Sequence, residues 1–90
     1  MSVAANFKCI VLSPRKLIYQ NEIQSIFLSG DQGEFEILAY HYPLLSVIKP
    51  SNLIINWSEA IPIRGGVLRF FANECVIMVE DEIKKKKKNN

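Results

Sequence analysis

The sequence predicts an all-β fold, a β-sandwich or barrel of about nine short strands. Three observations carry this. Apolar residues recur with period two rather than 3.6 along most of the chain. Turn-forming residues interrupt the apolar runs at the short, regular spacing typical of sandwiches and barrels. No segment holds a sustained helical stripe. Ninety residues with 49% apolar side chains suffice for one core, since a chain of this size buries roughly 64% of its unfolded surface. The expected organisation is a single β-sandwich domain over 1–83 and a disordered lysine-rich tail over 84–90.

The elements follow in order. Residues 7–12 alternate, with Phe7, Cys9 and Val11 on one face, until Ser13-Pro14-Arg15 punctuates the run. A short apolar segment, 16–19, is expected to turn at Gln20-Asn21. Residues 22–29 alternate again, and Gly30-Asp31-Gln32-Gly33 forms a turn before 34–38. Two further runs, 44–48 and 52–57, are separated by Lys49-Pro50-Ser51. Residues 59–63 lead to Arg64-Gly65-Gly66, an expected hairpin turn because glycine accepts positive φ. The runs 67–72 and 75–80, joined at Asn73-Glu74, complete the set.

Charge narrows the function classes. Lys84–Lys88 hold five of the 11 cationic groups, leaving six against nine acidic residues, so the body nets −3. Such a body is no nucleic-acid platform, and any polyanion binding falls to the tail. No apolar run reaches the roughly 18 residues of a spanning helix. The two cysteines, Cys9 and Cys75, each lie in an alternating apolar run and read as small buried hydrophobes in a reduced, intracellular compartment.

Catalytic residue types are sparse. His41 is the only histidine, which excludes a two-histidine metal site, and His41, Cys9 and Cys75 lack ligand spacing. Glu34 and Glu36 share a strand face but have no nucleophile beside them, so a solvated face is the better reading. Gly30-x-x-Gly33 is too short for a phosphate loop. Neither an enzyme nor a cofactor is indicated. Core packing accounts for most aromatic residues; Tyr40 and Tyr42, which flank His41 in a loop before Pro43, suit a protein interface instead.

The stretch from Gly30 to Leu45, reading GDQGEFEILAYHYPLL, resembles the signature G-x-x-G-E-F-G-I-L-P-G-H-A-P-L-L of the epsilon subunit family of rotary F-type ATP synthases. Lys49-Pro50-Ser51 stands at that family's Lys-Pro-Gly turn. Residues 7–14 and 17–23 match its first hairpin, and Gly65-Gly66-Val67-Leu68 stands where the family has a Gly-Gly-hydrophobic pair before its last hairpin. The chain differs where Glu36, Ala39-Tyr40 and Tyr42 replace the family's Gly, Pro-Gly and Ala. The family usually continues into a C-terminal helical hairpin, whereas this chain ends in the lysine tail.

The resemblance sharpens the fold to an all-β, two-sheet β-sandwich of about nine to ten short strands, and it implies a non-catalytic central-stalk subunit joining the gamma subunit to the membrane c-ring. It further implies that the loop holding Glu34 and His41 faces the polar loops of the c-ring, while another face holds gamma. Glu34, Tyr40, His41 and Tyr42 are the partner-binding candidates. The expected location is peripheral, on the cytoplasmic face of an energy-coupling membrane, without a helical brake or nucleotide site. The alternative is a free-standing β-barrel module that holds nucleic acid or anionic lipid through its lysine tail.

Overall fold

The computed structural model describes residues 5–81; the lysine-rich segment lies outside them. Nine strands make up the fold: β1 (Phe7–Leu12), β2 (Leu17–Ile23), β3 (Ser25–Gly30), β4 (Gly33–Leu38) and β5 (Leu44–Ile48). The remainder are β6 (Ser51–Ile55), β7 (Glu59–Ile63), β8 (Gly66–Phe71) and β9 (Glu74–Val79). The all-β expectation holds, and nine strands lie within the expected number.

The strands form one curled sheet with two wings. The first wing runs β2-β1-β9-β8-β5, and the second comprises β4, β3, β6 and β7. Between them the hydrogen-bonded path narrows to a single pair, Gly30 with Ile48. The chain turns this corner at Lys49-Pro50, where the Lys49 amide donates to the Ser29 carbonyl at 2.8 Å. The two expected sheets are therefore present as wings of one continuous sheet. All pairings are antiparallel except β1 with β9.

The wings close over a core that includes Phe7, Cys9, Val11, Leu68, Phe70 and Ile77 from the first and Ile26, Leu28, Ile37, Leu53 and Ile55 from the second. Alternation explains the choice, because every second residue of a strand faces inward. Cys9 and Cys75 are register partners, fully buried and free. Hydrogen bonding to Cys9 and burial both push the Cys75 thiol far above its ordinary range, so it stays protonated and packs as a small apolar group.

Three local expectations fail. Gln20-Asn21 does not turn but lies inside β2, opposite Ile10 and Cys9. The reversal comes earlier, where the Ser13 hydroxyl accepts the Arg15 and Lys16 amides at 3.2 and 3.3 Å. Arg64-Gly65-Gly66 is not a hairpin: β8 pairs with β5 and β9, so this link carries the chain from one wing to the other. Asn56 and Trp57, expected in a strand, form the β6–β7 turn with φ of 50° and 62°. The Asn56 side chain holds that turn by accepting the Gln24 and Ser25 amides at 2.7 and 3.2 Å.

Candidate partner-binding surface

Residues 39–43 join β4 to β5 at one end of the sandwich. Tyr40 occupies the left-handed region at φ 63°, a conformation that costs a non-glycine residue roughly 1–2 kcal/mol. Asn73 holds it there. Its side-chain oxygen accepts the Tyr40 amide at 2.7 Å, and its side-chain nitrogen donates to the Asn6 carbonyl at 3.0 Å. Asn73 itself lies in the two-residue β8–β9 turn, beside Ala72, with both residues left-handed at φ 60° and 51°. One side chain thus ties the loop, the last hairpin and the approach to β1.

His41 is half-buried over this clamp. Its ring meets Phe70 edge-on at 5.8 Å and lies 4.3 Å from the Tyr42 ring. The 2.8 Å contact of Nδ1 with the Tyr42 carbonyl places the proton on Nδ1, because a carbonyl only accepts. Phe70 in turn stacks edge-on with Phe7 at 5.5 Å, so the loop is anchored in the core. Tyr40 and Tyr42 point outward, 76% and 71% exposed.

Glu34 is elsewhere. It pairs with Ser29 next to the Gly30–Gly33 turn, four residues and roughly 13 Å along β4 from Leu38, where the aromatic loop begins. The expectation that one loop holds both Glu34 and His41 is not met. The strand between them puts Glu34 at the opposite end, beside exposed Asp31 and Gln32.

Sequence reasoning missed an apolar surface. On the outer face of the first wing, Leu45 and Val47 of β5, Val67 and Phe71 of β8 and Met78 of β9 are all exposed. Register sets them side by side: Val47 opposes Val67, which opposes Met78. The face continues into the aromatic loop through a hollow of about 430 Å³ lined by Pro43, Leu44, Leu45, Arg69, Phe70 and Phe71. A signal was present, because Leu44-Leu45 and Phe70-Phe71 break the alternation expected of a sheet with one wet face.

The second wing covers its own outer face. Trp57, itself largely exposed, reaches across β3 so that its indole N–H donates to Glu36 Oε2 at 2.7 Å. The Ser25 hydroxyl donates to the same oxygen at 2.6 Å. Glu36 stays exposed on the same strand face as Glu34, as expected, and in addition anchors Trp57 and Ser25. Trp57 and Phe71, together with the two tyrosines, are exposed aromatics, so core packing explains fewer rings than the sequence suggested. Among the described residues, no group of three or more potential metal ligands comes together. No helix there is long and apolar enough to cross a membrane.

The family model for the β-sandwich domain of the ATP synthase delta/epsilon chain matches residues 6–85. The chain belongs to this family. Among its epsilon-chain relatives, one from Psychrobacter sp. is 32% identical over 89% of this chain, and one from Chlorobium limicola 29% identical over 83%. This chain spans 61% of the first relative's length and 90% of the second's. The epsilon-type sandwich also superposes on a chain of the Tetrahymena thermophila mitochondrial ATP synthase central stalk and c-ring, with TM-score 0.72 and 23% identity. That match covers 82% of this chain and 63% of the other. A Euglena gracilis mitochondrial ATP synthase chain gives the same TM-score at 18% identity, covering 88% and 53%. At such identities the likeness establishes the epsilon-type fold.

The clamp in this sandwich has a measurable consequence. In Asn73→Gly the turn keeps its left-handed backbone at little cost, while both side-chain hydrogen bonds are lost. At about 1 kcal/mol per bond, stability should fall by about 2 kcal/mol, and the Tyr40 amide should exchange faster than in the parent. Hydrogen-exchange NMR with a thermal melt checks both.

Proposed function

We propose that this chain is a non-catalytic rotor-stalk subunit of an F-type ATP synthase, joining the gamma subunit to the membrane c-ring. Membership of the epsilon family supports the role, and the outer face of the first wing is the observation that carries it. Antiparallel sheets that face water alternate polar and apolar residues; a face apolar across three adjacent strands is suited to cover by another protein. Gamma is the proposed occupant. Tyr40, His41 and Tyr42 adjoin that face through the hollow at Pro43 and Phe71, so they extend the gamma contact. The polar end, with Glu34, Asp31 and Gln32, suits the polar loops of the c-ring. Such a subunit works by holding its shape under torque, and a sandwich with paired strands and a packed core resists shear. Its location follows from its partners: peripheral, on the cytoplasmic face of an energy-coupling membrane.

Titration of recombinant gamma subunit into the chain tests this reading. The parent should bind, and Tyr40→Ala with Tyr42→Ala should weaken binding roughly 30-fold, as expected when interface tyrosines supply about 2 kcal/mol. Stability should change little because both rings are exposed. A parent that fails to bind gamma overturns the reading; unchanged affinity in the double variant removes the loop from it.

A further inference from the structure

We infer that the protein docking on the outer face of the first wing presents a carboxylate to Arg69 from within an otherwise apolar contact surface. The inference rests on the docking reading above and specifies the chemistry of the partner. Arg69 lies in the middle of β8, the strand flanked by β5 and β9. Its register partners are Leu45 and Val76. Along β8, Val67 and Phe71 share its outward face, since residues two apart in a strand point the same way. All four neighbours are apolar. Glu74, the acidic residue on that face of β9, stands beside Lys8 in register.

An exposed arginine in such surroundings is tolerable while water reaches it. Covering the face changes that. The guanidinium stays charged at any physiological pH, and removing it from water without a partner is costly. A wholly apolar partner would leave this charge uncompensated near the centre of the contact. A carboxylate compensates it, and arginine's planar fork donates to both carboxylate oxygens, whereas a lysine ammonium offers one point charge. The hollow beside Arg69, lined by Pro43, Leu45 and Phe71, leaves space for an acidic side chain to descend beside the guanidinium. Leu45, Val67 and Phe71 supply the contact area, and Arg69 selects which apolar surface fits and in which register.

Calorimetric titration of recombinant gamma into the full chain tests the pairing, using Arg69→Lys, Arg69→Met and Arg69→Glu. Because Arg69 is exposed in the free chain, each variant should melt near the parent temperature. Arg69→Met should bind about 30-fold more weakly or worse, the range found when one partner of a covered charge pair is removed. Arg69→Lys should retain part of the affinity, and Arg69→Glu should bind more weakly than Arg69→Met because two carboxylates then meet. Arg69→Met binding as well as the parent, or Arg69→Glu binding as well as Arg69→Met, overturns the inference. Leu45→Ser and Phe71→Ser separate this from failure of the docking reading. If they leave gamma affinity unchanged, the face itself is not the docking surface; if they weaken it while Arg69→Met does not, only the carboxylate is refuted.

Discussion

Replacing Phe70 with Ala should remove a large share of the fold's stability. The ring is 1% exposed, stacks edge-on with Phe7 at 5.5 Å and supports His41 at 5.8 Å. Burying a phenyl ring and then deleting it typically costs 3–5 kcal/mol, through lost transfer energy and the cavity left behind. A domain of this size has only about 5–13 kcal/mol in total. The variant should therefore melt at least about 12 °C lower, since each kcal/mol shifts Tm by roughly 4–8 °C in small domains. The effect reaches the aromatic loop, because His41 loses the ring beneath it. Phe70→Leu fills much of the space without the edge-on contacts, so it should recover most stability while the His41 ring protons lose their aromatic ring-current shift. Thermal denaturation and proton NMR distinguish the two. A Phe70→Ala protein that melts with the parent would show that the wings close without this ring.

The second large effect should come from Gly66→Ala, and its origin is space. A Cβ built at Gly66 would collide with the Met78 carbonyl oxygen and lie 2.8 Å from the Val79 Cα. These are backbone atoms of β9, so no side-chain rotation relieves the clash. Either β8 separates from β9 at this end, breaking the Gly66–Val79 pairing, or the link from β7 shifts. Overpacking usually costs 1–3 kcal/mol and occasionally more; with backbone on both sides, about 3 kcal/mol is expected. The loss should be local in exchange experiments, with amides of Val79 and Glu80 deprotected before those of Phe70 and Cys75. Uniform deprotection would locate the clash elsewhere.

Gly66 also shows where sequence reading stops. Two adjacent glycines suggested a hairpin, because glycine's freedom in φ is its best-known use. Here the second glycine is needed for the close approach of the Met78–Val79 backbone, at the far end of the β8–β9 hairpin, and no pattern next to the glycines encodes that. The alternating runs were legible because inward-facing positions recur every second residue, and eight of the nine strands, all but β2, are recognisable from them. Gln20-Asn21 misled because turn-forming residues on an exposed edge strand face water, where their propensity has little consequence. Asn56 and Trp57 misled in the opposite sense: the β6–β7 turn is set by Asn56 bonding to Gln24 and Ser25, 32 and 31 residues away. At the surface, Tyr40, His41 and Tyr42 were visible as aromatics out of place before a proline. Arg69 was not, because a charged residue in a strand reads as the wet face until the neighbouring strands are known.

The parallel pairing of β1 with β9 sets the order in which this molecule can be completed. Lys8 lies beside Glu74 and Leu12 beside Met78, so the first strand waits for the last before its second edge is satisfied. Sequence separations of this length slow folding, since the loop must close before the contacts reward it. During synthesis, Cys9 and Val11 have no β9 to shield them until Val79 has left the ribosome, and β8 likewise lacks one neighbour. The nascent chain therefore passes most of its translation with open strand edges, the condition under which apolar strands find wrong partners. Chaperone demand in the cell should accordingly peak before the final hairpin emerges and fall sharply afterwards.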